Sequence, residues 1–171
     1  MTTLIRKKLQ VFKMLHLAMV MADVVYGAVI VLITKYAPIP PTLTDIEFIT
    51  QIEYALIVFV MLAIVGIRVV RIKMLAAESI LVKKESATQT SKESEDTPPY
   101  FANYLSSLFI LWAMIETIVI SGVILFLTTA ELYVSLALIA LGAFIKISHG
   151  PKYEELSDLA KRYNSGILHK G

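Results

Sequence analysis

Leu105 to Leu127 reads LSSLFILWAMIETIVISGVILFL, an apolar run long enough to cross a bilayer as one helix, with a single carboxylate, Glu116, near its middle. An ionised carboxylate at that depth costs about 2.5–3.5 kcal/mol on insertion scales. Such a group needs a partner, a proton or a task. Three further apolar blocks flank this one, Met14–Thr34, Tyr54–Val70 and Leu132–Ile147, and the first of them carries a second acid, Asp23. The two shorter blocks extend into polar ends, which gives each about 20 residues of helix. Four blocks predict an all-α polytopic membrane protein with transmembrane helices at about 12–35, 45–75, 101–128 and 130–149.

Composition agrees with this reading. The chain is 57% hydrophobic and only 18% charged, and the charges lie between the apolar blocks. There is no cysteine, so disulfides, thiolate metal sites and thiol nucleophiles are excluded. The first block follows Arg6-Lys7-Lys8 but is long, holds Asp23 and ends in Lys35-Tyr36-Ala37-Pro38, so it reads as an uncleaved first helix and not as a signal peptide. Of the sixteen lysines and arginines, all but Lys35 fall before the first helix, between the second and third, or, with Lys146 counted among them, after the fourth. The positive-inside rule then gives both termini cytoplasmic, N-in and C-in, in a multi-pass protein of the plasma membrane. The net charge of +2 follows from that topology and does not point to nucleic acid.

The outer connections are short, so the helices are expected as two tandem antiparallel hairpins, at 1–84 with a cytoplasmic helix extension and at 100–150. Thr44-Asp45-Ile46-Glu47 and Thr128-Thr129-Ala130-Glu131 are capping-box patterns for the second and fourth helices. Residues 85–99 form a polar cytoplasmic linker ending in Thr97-Pro98-Pro99, and 151–171 a cytoplasmic tail. The second helix reads either as running on in a basic amphipathic extension to about Val82 or as a frayed end that carries topology charges. Without a gap, Ala18-Met19 aligns with Ala113-Met114, Val24 with Val119, Gly27 with Gly122 and Leu32 with Leu127, which suggests an internal repeat of one hairpin. Ala63, Gly66, Ala137, Ala140, Gly142 and Ala143 are small residues suited to close helix packing.

Glu116 is the leading functional candidate, with Thr117 and Ser121 beside it on the helix and Trp112 one turn away. Apolar surroundings favour its neutral form. A protonatable carboxyl at mid-membrane suits proton handling; the alternative is interhelical glue. Asp23 is the second candidate. His16, Asp23 and Tyr26 share a helical face and can be read as a proton relay, or Asp23 can be satisfied by Tyr26 or by a hydroxyl of the third helix. Should Asp23 and Glu116 face one another, they would share a proton. His16 and His149, on different helices near the same boundary, are a remote candidate for axial haem ligation. No phosphate loop, zinc signature or nucleophile elbow is present, so the chain is not read as an enzyme on its own, and no cofactor is expected.

The segment Trp112 to Leu125, WAMIETIVISGVIL, resembles the carboxylate-bearing helix of V-type ATPase proteolipids. In that family an ion-binding Glu precedes a Tyr-Gly pair whose glycine lies six positions on; Glu116 and Gly122 match that spacing, with Ser121 in the tyrosine's place. The first helix resembles the family's partner helix, with Met21 at the acid position and Tyr26-Gly27 matching the pair. The carboxylate helix stands first in its hairpin here and second in the family, and Asp23 is additional. The resemblance implies that Glu116 is the proton site of a small subunit that assembles with itself or with other membrane subunits. A non-catalytic structural or anchoring subunit of a redox or transport complex is the alternative, and a haem- or quinone-binding site a third.

Overall fold

The structure is a computed structural model that describes residues 3–74 and 98–168. Described residues form five helices: α1 (Thr3–Tyr36), α2 (Ile46–Met74), α3 (Pro99–Thr129), α4 (Leu132–Ser148) and α5 (Tyr153–Leu168). Three of them, α1, α2 and α3, are long and apolar enough to cross a membrane; α4 and α5, bent by 48° at their junction, supply a fourth span if taken together. Large apolar side chains stay exposed along α1 and α2, among them Met14, Leu17, Met21, Val58, Leu62 and Val65. In water such a surface would be a liability; it fits a membrane protein. The expected linker and the extension of α2 to Val82 lie outside the described residues, as does His169.

The packing order differs from tandem hairpins. α3 packs along α4, α1 packs along α4 and also meets α3, where Ile30 clusters with Val119, Phe126 and Ile139, and α2 packs along α3, giving the neighbour order α1–α4–α3–α2. α3 and α4 pack along one another, whereas α1 and α2 do not. Their connection instead crosses the end of the central pair. There the backbone N–H groups of Thr42 and Leu43 donate to the Thr128 carbonyl at 3.1 Å, and Thr42 Oγ1 donates to it at 2.9 Å. A short loop fixes the distance between two helix ends, not which neighbours their sides find.

Two glycines set the central contact. A Cβ on Gly122 would lie 2.8 Å from the Ser135 carbonyl oxygen, and one on Gly142 would lie 2.4 Å from Val119 Cγ2. Each helix therefore presents a glycine where its neighbour's chain comes closest, the small-residue packing that membrane helices use. Gly27, aligned with Gly122 in the repeat, approaches the same stretch of α4 from α1, but less closely, with Leu136 and Ile139 about 4 Å from its virtual Cβ. Gly66 of α2 faces Met114. Ala137 and Ala140 are exposed and take no part in the tight contact.

Helix ends also refine the sequence reading. Asp45, not Thr44, caps α2, with Oδ1 accepting from the N–H groups of Glu47 (3.0 Å) and Phe48 (3.4 Å). No capping box forms at 128–131: Glu131 occupies the N-cap of α4 without a side-chain cap. α3 ends at Ala130 in the left-handed region (φ 59°), and Thr129 Oγ1 accepts the Glu131 N–H at 3.2 Å.

The expected tail is helix α5, set off by Gly150-Pro151. Leu156 and Leu159 bury against Ile5 and Leu9 of α1 and Phe101 and Tyr104 of α3. The Tyr104 hydroxyl accepts the Lys152 N–H at 2.8 Å and donates to its carbonyl at 3.2 Å, while Arg71 of α2 pairs with Glu155.

The glycine contacts separate two substitutions that the repeat would treat as equivalent. Gly122→Ala sets a Cβ against a backbone oxygen that cannot turn aside, and should cost about 1–3 kcal/mol. Gly27→Ala meets ordinary van der Waals distances and should be neutral or stabilising by up to about 1 kcal/mol through helix propensity. Unfolding of both variants in a detergent–SDS titration checks this; equal losses would refute the packing.

Candidate functional site

Lys146 stands in the last turn of α4, where a cation meets the negative end of the helix dipole. Its side chain is fully buried, an arrangement that requires compensation. Two carboxylates supply it. The Lys146 ammonium donates to Asp23 Oδ1 of α1 at 2.9 Å, lies 2.8 Å from Asp23 Oδ2, and donates to Glu116 Oε2 of α3 at 2.5 Å. One ammonium thus joins three helices. Asp23 is sealed like the lysine, whereas the Glu116 side chain remains 25% exposed. The centre holds two acids for one base, and only Glu116 opens to the surroundings.

The two acids picked out from sequence are therefore brought together, but through a cation counted there as a topology charge. They do not share a proton directly: Lys146 Nζ lies between them. Nor is Asp23 satisfied by Tyr26 or by a hydroxyl of α3. Tyr26 lies on the exposed side of α1. Thr117 Oγ1 donates to the Met114 carbonyl and Ser121 Oγ to the Thr117 carbonyl, both at 2.7 Å, so the two expected supporting hydroxyls are spent within α3. The signal for Lys146 was its position: it is flanked by Ile145 and Ile147 and precedes the His149-Gly150-Pro151 stop, so it belongs to the helix and not to the segment after it.

His16 adjoins the centre by another route. Its Nε2 donates to the backbone carbonyl of Lys146 at 2.8 Å, its ring packs beside Trp112 (centroids 5.2 Å apart), and Gly150 leaves room for it. His149 Nδ1 donates to the Ile145 carbonyl at 2.8 Å, and Trp112 Nε1 donates to the His149 carbonyl at 3.4 Å. These groups add side-chain partners to carbonyls at the end of α4, two of which, those of Ile145 and Lys146, also accept the His149 N–H at 3.1 Å. The contacts of both histidines are those of caps on α4 and not of an axial haem pair. Among the described residues no cluster of three or more acids, histidines or cysteines is arranged to hold a metal ion.

No protein-family model, curated protein or solved structure matches the chain.

Removing the base alone should be far worse than removing base and acid together. Lys146→Met strands two carboxylates in an apolar interior and should destabilise by about 3–5 kcal/mol. Adding Asp23→Asn to it removes one stranded charge and should recover much of the loss. SDS-titrated unfolding of the single and double variants measures this, and a double variant no more stable than Lys146→Met would refute the pairing.

Proposed function

We propose that the chain is a small integral membrane subunit, proteolipid-like in its use of a mid-membrane carboxylate, in which Glu116 takes up and releases a proton beside a fixed Lys146–Asp23 pair. The observation that supports this most directly is the imbalance of the centre, with two carboxylates around one ammonium and only Glu116 partly exposed. Asp23 and Lys146 neutralise one another inside the helix row. Glu116 is then the surplus acid, and low dielectric opposes leaving it charged without support. Its ionic partner is Lys146, which Asp23 already holds. Intramembrane acids mark ion pathways more often than chance, which supports a role for this one in ion handling.

On this reading the termini lie in the cytoplasm, as the distribution of basic residues favours. The membrane is the plasma membrane. The chain works with further copies of itself or with other membrane subunits, to which the exposed sides of α1 and α2 are available. A structural or anchoring subunit is the second reading, favoured by the complete enclosure of Asp23 and Lys146, since a sealed pair suits a lock that holds α1 and α4 in register.

Carbodiimide modification in native membranes separates the two, because the reagent attacks protonated, reachable carboxyls. Glu116 should be labelled near neutral pH, with labelling falling as pH rises, while Asp23 stays unmodified; mass spectrometry of the peptides reads both. Absence of Glu116 labelling at every pH would leave the lock as the role of the centre.

A further inference from the structure

We propose a binding site for one anionic phospholipid at the end of α1, formed where α5 folds back beside it. The site is independent of the buried ion-pair centre. A cavity of about 370 Å³ is lined by Arg6, Leu9, Gln10, Lys13 and Tyr153. Arg6, Gln10 and Lys13 recur at helical spacing, so they stand on one side of α1 over two turns. Tyr153 at the start of α5 forms the opposing wall, and the Arg6 guanidinium lies over its ring, 5.5 Å from the centroid. The cavity therefore presents two cations and an amide, and no acid lines it. Glu155, the acid of α5 that points inward, is held by Arg71.

What distinguishes a lipid from a free anion is the surface that continues from the cavity. Beyond Lys13 the same side of α1 exposes Leu17 (61%), Met21 (53%) and Val24 (55%). A basic recess thus leads into an apolar strip along a helix long enough to span the membrane. A ligand that fills both has an anionic head, recognised by charge-assisted hydrogen bonds from Arg6 and Lys13, and acyl chains that lie along the strip. Gln10 adds a donor for a phosphate or glycerol oxygen. The fold of α5 completes the recess: Tyr104 clasps residue 152, which fixes Tyr153 at the wall.

The test uses the full chain in neutral detergent, with phosphatidylglycerol added and retention read by native mass spectrometry. One tightly held phosphatidylglycerol is expected, with phosphatidylcholine of the same chains retained weakly or not at all. Arg6→Gln with Lys13→Gln should weaken retention by roughly thirtyfold, on the scale of two lost interfacial cations. Lys7→Gln with Lys152→Gln removes the same charge from exposed positions outside the cavity and should leave retention within about threefold. An equal loss in both double variants would mean general surface attraction and overturn the site. Complete displacement by millimolar inorganic phosphate would identify a free anion as the ligand, and would equally overturn the lipid assignment.

Discussion

A lysine ammonium fixed between two carboxylates, inside a row of otherwise apolar helices, is the constraint from which the rest of the arrangement follows. Lys146 cannot remain buried without a counter-ion, which Asp23 of α1 supplies and to which Glu116 of α3 adds a second carboxylate, and neither acid is tolerated in that setting alone. Because the contact is short-range, it fixes the axial register of α1 against α4 and of α3 against α4 at once. Apolar packing in lipid provides little such information, since a leucine is as content against a lipid tail as against another leucine. The glycines at 122 and 142 then let α3 and α4 approach closely at the register the charges demand.

The same constraint accounts for the shape of α4. Its short helix stops soon after Lys146, and the chain turns at Gly150-Pro151 into α5. Irregular backbone inside or beside a membrane persists only where its polar groups find partners in the protein. Here His16, Trp112 and Tyr104 supply them, each from a neighbouring helix, to the carbonyls of Lys146, His149 and Lys152. The ionic centre and the helix break are therefore one construction. The residue that ends α4 as a cation is also the residue whose carbonyl His16 holds.

Much of this was legible in the chain, and the missing parts have physical reasons. The spans, their all-helical nature and the two anomalous acids follow from hydropathy, because the cost of a carboxylate in lipid is large enough to single it out. Lys146 reads as a topology charge because a basic residue near a helix end ordinarily snorkels to the headgroups, whereas this side chain turns inward to Asp23 and Glu116. The neighbour order α1–α4–α3–α2 was hidden for a related cause. Short loops favour packed hairpins, but the loop after α1 is long enough to cross the α3–α4 end and hydrogen-bond to Thr128, so α1 is free to pair with the helix that carries its counter-ion. In α5 the apolar pair Leu156 and Leu159, three residues apart, marks a buried stripe among charged neighbours.

The position of Glu116 within this construction gives the proton reading its physical content. A lock needs only one acid per base, and Asp23, sealed on both sides with Lys146, meets that need. The second acid adds desolvation cost without being required for neutrality, and its side chain alone keeps an opening to the outside. An arrangement selected only for rigidity has no use for a partly exposed surplus carboxylate, because an apolar residue there would pack α3 against α4 more stably. A site that must alternate between contact with Lys146 and possession of a proton needs that surplus charge and that opening. On the proposed reading, the fixed pair would be the reference charge beside which Glu116 gains and loses its proton, with the glycine-packed α3–α4 contact holding the two close.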